Sequence, residues 1–256
     1  MESIAAAAGL ALAAVAAAWA YWRWVWFWRN PPRSNPPGDG VLSAADGTVV
    51  YVKAVEPGQP VVTIKQGEPA RLVDLAHHDA SQTKLVIGVF MSPFDVHYNR
   101  APIAGRIDFV RHYPGRGRNV DMGPMHRRIL TGRKPFYTGS THLVWNERTV
   151  TKIDAERGGA PLSCYVVQIA ARTVAGIDSY VKQGGPVERG AIFGMIRIGS
   201  QVDLVLPWTS DMKVLVREGD RVTAGETVLV EFASSPARAE ASVPAKPALV
   251  RAKSTT

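Results

Sequence analysis

The stretch Phe193–Pro207, FGMIRIGSQVDLVLP, decides how this 256-residue chain is read. Met195, Ile196 and Ile198 lead into Gly199-Ser200, and Val202, Leu204 and Leu206 alternate with polar residues leading out, so the stretch reads as two strand halves about a central Gly-Ser. Taken alone, Gly199 is a bulge or a close backbone approach and Ser200 an ordinary strand residue. Outward from it, short β-like runs recur between turn signals: GTVVYVKAV (47–55), PVVTIKQ (60–66), KLVIGVFM (84–91), GRIDFVRHY (105–113), HLVWNERTVTKID (142–154), CYVVQIAA (164–171), KVLVREGD (213–220) and ETVLVEF (226–232). A helix within 158–181 competes with a strand over its first half. The fold class expected is mainly β, a β-rich α+β domain of the sandwich or barrel type. Two segments, 43–61 and 209–230, resemble each other as strand, glycine turn and strand, in the manner of barrel-sandwich hairpins, although ordinary hairpin chemistry gives the same likeness.

The ends of the chain are different in kind. No charged residue occurs from Ser3 to Trp22, and the apolar run ends in WRWVWFWRN, an aromatic belt bearing Arg23 and Arg29. That is a membrane anchor by length and flanks, residues 1–29. A cleaved leader places its positive charge before the apolar core, whereas here Glu2 precedes it and arginines follow. The same arginines place the body on the cytoplasmic side of the inner (cytoplasmic) membrane. Residues 30–40, NPPRSNPPGDG, form a Pro/Gly linker that is expected to hold the body a short distance from the bilayer. The catalytic-type body is expected over 41–232 and a disordered basic tail over 233–256. With 30 Lys and Arg against 22 Asp and Glu, the net charge of +8 suits an anionic partner. A tethered chain without nucleic-acid motifs directs that charge to phospholipid rather than to RNA or DNA. The single Cys164 lies in an apolar run and permits neither a disulfide framework nor a Cys-based metal site.

Three islands are able to carry chemistry. Asp46 precedes Gly47 in SAADGTVV, by default a structural turn. In FDVHYNRAPIAGRI, an alternating strand would set Asp95, His97 and Asn99 on one face, although an Asp beside a His is commonly a solvated pair. The third is Gly199-Ser200. The adjacent His77 and His78 lack metal-ligand spacing and read as a loop. Arg111, Arg116, Arg118, Arg127, Arg128, Arg133 and Lys134 crowd 111–134, either a solvated loop or a grip on lipid phosphates.

Together, WFWRNPPR, SAADGTVV, FDVHYNRAPIAGRI, HYPG, NER (146–148), VVQIAA and FGMIRIGSQVDLVLP resemble the phosphatidylserine decarboxylase family, in its short, membrane-anchored, pyruvoyl-dependent branch, from about Trp26 to Phe232. The resemblance implies self-cleavage between Gly199 and Ser200. Ser200 Oγ attacks the Gly199 carbonyl, an ester replaces the amide, and elimination and hydrolysis leave a covalent pyruvoyl cofactor at position 200. His97 is then the candidate base and Asp46 the carboxylate that orients or supports it. The implied reaction converts phosphatidylserine to phosphatidylethanolamine through a Schiff base, with the two fragments held as a heterodimer. Longer family members carry a second histidine three residues after the first, where this chain has Arg100. Two alternatives stand beside this reading: a non-catalytic anchored β-scaffold adaptor, and a decarboxylase of a related seryl phospholipid.

Overall fold

The structure is a computed structural model that describes residues 2–63, 69–71, 82–172, 176–197 and 199–233. The His77-His78 loop and the tail beyond Ala233 lie outside the described residues. An apolar helix, α1 (Glu2–Tyr21), continues into a π-helical turn, Trp22–Trp26. The segment Ser3–Trp26 is long and apolar enough to cross a membrane, with mean hydropathy 1.9. Ile4, Leu10, Leu12 and Val15 are all exposed. A helix apolar all round that packs on nothing in its own chain has lipid as its natural surroundings.

The body contains β1 (Val41–Leu42), β2 (Gly47–Val55), β3 (Pro60–Thr63), β4 (Pro69–Arg71), β5 (Lys84–Met91), β6 (Tyr98–Arg100) and β7 (Gly105–Tyr113). Two short helices follow, α2 (Gly123–Leu130) and α3 (His142–Trp145). The chain then forms β8 (Arg148–Arg157), β9 (Ala160–Ala170), β10 (Ile177–Ser179), β11 (Pro186–Val187), β12 (Ile192–Ile196), β13 (Ser200–Pro207), β14 (Met212–Val214), β15 (Arg221–Val222) and β16 (Val228–Phe232). An eight-stranded antiparallel sheet in the order β11-β7-β8-β9-β13-β5-β2-β15 is the frame. Two three-stranded sheets, β10-β12-β6 and β1-β16-β14, accompany it. The domain is therefore mainly β, with a curled half-barrel of a large sheet.

Both faces of the large sheet are covered, which explains why β5 reads as an unbroken apolar run rather than an alternating one. Leu85, Ile87, Val89 and Met91 enter one core with Val202, Leu204 and Leu206, against residues of the small sheets. Val86 and Phe90 enter a second core on the opposite face, with Val205, Tyr165, Val167, Met125 and Phe136. The two similar segments pair with each other through β2 and β15, and β1, just before the first of them, pairs with β16. The 158–181 region resolves as the strand β9 over Ala160–Ala170.

Three expectations are corrected. The run 142–154 begins as the helical turn α3, and its strand starts only at Arg148. The Arg-rich stretch is not all loop, because α2 forms there with Pro124 in its first turn and Met125 buried. The central Gly-Ser does not sit inside one strand. Its leading half is β12, paired with β10 and β6, and its trailing half is β13, paired with β5 and β9 in the large sheet. The chain passes from one sheet to the other between Ile196 and Ser200.

That crossing point lies at one end of the large sheet. Ser200 is in register with Met91 and Ala170, Tyr113 with Arg148, and Gly47 with Val222. Both the 92–97 turn and the 114–147 excursion leave from that end.

Candidate active site

Gly199 has φ +60°, the left-handed region that other residues enter only at a cost, and this lets the chain turn from β12 into β13. Ser200 is fully buried, and its side chain shares the β13 face of Val202 and Leu204. Its Oγ donates to Met91 Sδ at 3.3 Å, a weak acceptor that leaves the hydroxyl easily redirected. The Gly199 carbonyl oxygen accepts from the Ala171 backbone N–H at 3.3 Å.

Ala171 is held by the NER segment. Asn146 Nδ2 donates to Ala170 O at 2.7 Å and to Val120 O, its Oδ1 accepts from Val120 N, and Ala170 N donates to Glu147 O at 3.1 Å. Arg148, also buried, donates to Leu143 O and Asn146 O and closes α3 onto β8. The motif thus clamps the strand end whose next N–H faces the Gly199 carbonyl.

His97 is fully buried, not solvated. Its Nδ1 lies 2.9 Å from Asp95 O, an acceptor only, so Nδ1 carries the proton and Nε2 the lone pair. Nε2 accepts from the Gly199 N–H at 3.3 Å, one peptide before the Gly199–Ser200 bond. Burial lowers the His97 pKa from 6.5 to about 4, against the opposing pull of Asp95, so the ring is neutral near pH 7. The Asp95 carboxylate itself binds Arg221 and the Ser92 N–H, and these bonds outweigh its burial and hold it below the usual range. Next to this group, Asn99 and Gln168 are buried and joined at 2.8 Å, and Gln168 Oε1 has no partner among the described residues.

The structure brings Gly199, Ser200 and His97 together but does not bring Asp46 to His97. Asp46 accepts from Arg33 at 2.7 Å and from the Ala224 N–H at 2.8 Å. Burial raises its pKa against those two bonds. Arg100 likewise turns away from Ser200 and donates to Gly190 O and Asn30 Oδ1. The ring packed on His97 is Phe27, centroid to centroid 4.6 Å, at the foot of the aromatic belt.

Directly behind Ser200, on the other face of β13, lies a second polar group. Tyr51 OH donates to Asp203 at 2.7 Å, Gln201 Nε2 reaches both Tyr51 OH and Asp203, and Gln201 Oε1 lies 2.9 Å from His142 Nε2. Burial raises Asp203 to about 6 and lowers His142 to about 4. Gly88 makes room for it, because a Cβ there would stand 2.6 Å from the Tyr51 ring.

Sequence reasoning missed Phe27, Ala171, Met91 and this rear group. Ala171 and the NER clamp lie within stretches that stood out by wording, yet a backbone donor has no side-chain signature to find.

The chain matches the family model described as phosphatidylserine decarboxylase over residues 21–230. It is 39% identical over 166 residues to a protein of Methanothermobacter thermautotrophicus assigned as an archaetidylserine decarboxylase proenzyme, covering 65% of this chain and 63% of that protein. It is 34% identical over 203 residues to the phosphatidylserine decarboxylase proenzyme of Pelobacter propionicus, covering 78% and 73%. To that of Xanthobacter autotrophicus it is 33% identical over 216 residues, covering 82% and 74%. A match of this extent, over the residues that include His97, Gly199 and Ser200, shows that the chain belongs to the phosphatidylserine decarboxylase family.

Proposed function

We propose that this chain is a proenzyme that cleaves itself between Gly199 and Ser200 and then decarboxylates phosphatidylserine to phosphatidylethanolamine. The observation that carries the proposal is the setting of one peptide group: Gly199 in a left-handed turn, its carbonyl on the Ala171 N–H, Ser200 buried beside it, and a neutral His97 at the preceding amide.

Rotation of Ser200 Oγ away from Met91 brings it to its own preceding carbonyl. His97 Nε2 takes the hydroxyl proton as Oγ bonds to the Gly199 carbon, and the carbonyl electrons move onto the oxygen faced by the Ala171 N–H. Collapse breaks the C–N bond, and the proton passes to the Ser200 nitrogen, leaving an amine and an ester on Oγ. Loss of the residue-200 Cα proton expels the Gly199 carboxylate and leaves dehydroalanine, whose enamine takes a proton at Cβ to become the imine; addition of water then releases ammonia and leaves a pyruvoyl group on Gln201. That carbonyl supplies an electron sink for the bond to the substrate carboxylate as CO2 departs. The residues present fit the reaction: Gln168 offers an unused buried acceptor on the residue-200 face for the substrate's amino group, and His97 stands ready to hold or return a proton. Asp46 bears on His97 only by holding Arg33, on the same juxtamembrane segment whose Phe27 ring packs on His97.

The break leaves both new ends fixed. β12 stays bonded to β10 and β6, and β13 stays between β5 and β9, so the two fragments remain one heterodimeric body. Arg23, Arg29 and Arg33 follow the apolar span, which supports a cytoplasmic site at the inner face of the membrane. The relative assigned to archaetidylserine favours a second reading in which a different seryl phospholipid is the substrate. The reacting headgroup is the same, and turnover of the two lipids side by side decides between them.

Denaturing electrophoresis with mass spectrometry tests the proposal. The expected result is fragments 1–199 and 200–256, the second beginning with a pyruvoyl group, and one intact chain for Ser200→Ala. An intact wild-type chain with an ordinary serine at 200 refutes it and leaves the scaffold reading.

A further inference from the structure

We infer that the juxtamembrane strap from Phe27 to Gly40 is part of the catalytic centre rather than a spacer, with Phe27 as the positioning residue that holds His97 and shuts it off from water. The inference rests on the reading of Ser200 given above.

A spacer needs length and little else, yet this segment is fastened to the body every few residues. Phe27 is 1% exposed although Trp24, Val25, Trp26 and Trp28 around it are exposed, and its ring lies on that of His97 at 4.6 Å. Arg29 donates to Phe94 O at 2.5 Å, on the turn that leads into His97. The Trp22 ring meets the Phe94 ring edge-on, centroids 6.4 Å apart. Asn30 Oδ1 accepts from Arg100 at 2.9 Å, Arg33 pairs with Asp46 at 2.7 Å and with Glu226, and Ser34 N donates to Glu226 at 3.0 Å. Asn35 donates to Arg189 O, and the Arg189 guanidinium returns bonds to Pro36 O and Gly40 O at 2.7 Å each.

The choice of partners is informative. Asp46 is the carboxylate expected from the sequence to support His97 and Arg100 stands where longer family members carry a second histidine, and each gives one bond to the strap, Asp46 to Arg33 and Arg100 to Asn30. Their effect on His97 therefore passes through the strap to Phe27. An aromatic face against an imidazole leaves the ring one orientation, with Nδ1 on Asp95 O and Nε2 toward Gly199, and removes the water that would otherwise compete for Nε2. The charged groups facing His97 are Asp95 and Arg29, with Arg221 and the Asp46–Arg33 pair behind them. Base and membrane-proximal chain are thus one unit, and α1 is exchangeable where Phe27 is not.

Two readouts on the full chain in detergent test this. In a Ser200→Ala background, which cannot cleave, diethyl pyrocarbonate is expected to spare His97 while modifying the more exposed His112. Adding Phe27→Ala opens His97 to the reagent, and Phe27→Leu keeps it closed. With Ser200 intact, Phe27→Ala slows release of fragment 200–256 by about a hundredfold. It also moves the acid limb of the rate upward from near 4 toward the ordinary 6.5, as a hydrated ring regains its basicity. Phe27→Leu restores rate and limb, and replacement of Ser3–Tyr21 by another apolar helix changes neither. Arg33→Ala, which frees the strap at Asp46, shifts both readouts in the same direction and decides the matter if Phe27→Ala does not accumulate. Unchanged labelling, or cleavage at the parent rate, overturns the inference. A wild-type chain that never cleaves overturns the functional reading alone, since the labelling experiment stands without it.

Discussion

Replacing Ala171 with proline removes one hydrogen from the site and separates what the Ala171 N–H does for the resting chain from what it does for the reaction. At 3.3 Å its bond to the Gly199 carbonyl lies at the long edge of the normal range, so in the uncleaved chain it is worth about 1 kcal/mol or less. When Ser200 Oγ adds, that oxygen acquires a full negative charge in a site closed to water, and the same donor shortens its bond. Loss of one donor of this kind costs about 10²–10³ in rate, about 2.7–4 kcal/mol. Ala170, the residue before the substitution, is already extended in β9, which is the backbone that a following proline requires. The expected outcome of Ala171→Pro is therefore a small change in the melting of the uncleavable Ser200→Ala chain together with a cleavage rate lowered by about 10²–10³, timed by mass spectrometry of fragment 200–256. Substitution of Ala171 by lactic acid, an ester in place of the amide, repeats the test without the proline ring. Cleavage of both variants at the parent rate refutes the assignment, and so does a loss of rate no larger than the loss of ground-state stability explains.

Three further outcomes follow from the same geometry. Gly199→Ala forces a side chain into φ +60° and is expected to destabilise the Ser200→Ala chain by about 1–2 kcal/mol, an effect absent if the turn relaxes to negative φ. Tyr51→Phe leaves a buried Asp203 oxygen and a Gln201 donor short of a partner and is expected to cost about 1–3 kcal/mol in chemical unfolding; a neutral result would mean that the rear network does not support β13. Burial lowers His97 and His142 each from 6.5 to about 4, so on acidification the unfolded chain takes up protons first. Their contribution, about 3 kcal/mol each, is complete above about pH 6.5 and is lost as pH falls toward 4. Asp203, raised by burial from 3.8 to about 6, works the opposite way between those values, leaving a net loss comparable to one histidine. Melting temperatures of the Ser200→Ala chain that stay level or rise from pH 7 to pH 4 contradict this sum.

Much of the domain is legible in strings of apolar residues, because a strand buried on both faces must be apolar throughout and KLVIGVFM admits little else. The anchor is legible for a similar reason: hydrocarbon tolerates only side chains that ask nothing of it. Helix α2 was not, since eight residues rich in Arg carry a weak intrinsic signal and form here because Met125 is captured by the second core. Asp46 shows the limit for side-chain roles. Its place in a turn beside Gly47 is readable, but whether its carboxylate meets His97 or Arg33 depends on how residues 30–40 lie over the body, and no periodicity encodes that.

By itself, the sequence determined which bond is the candidate for cleavage, which histidine stands nearest in kind, and that the body follows an apolar segment long enough to cross a membrane. These follow from residue chemistry and local pattern: a Gly-Ser between two strand-forming runs, a lone His in a polar island, twenty uncharged residues ending in arginines. Tertiary structure alone decided that the two runs belong to different sheets, that the Gly199 carbonyl meets the backbone N–H of Ala171 just past β9, and that the Phe27 ring covers His97. Each of these is a contact between segments tens to more than a hundred residues apart, made by backbone groups or by a ring that any apolar residue might resemble in sequence. Their meaning comes from the register of β13 between β5 and β9 and from the path of the strap, and both are set by packing.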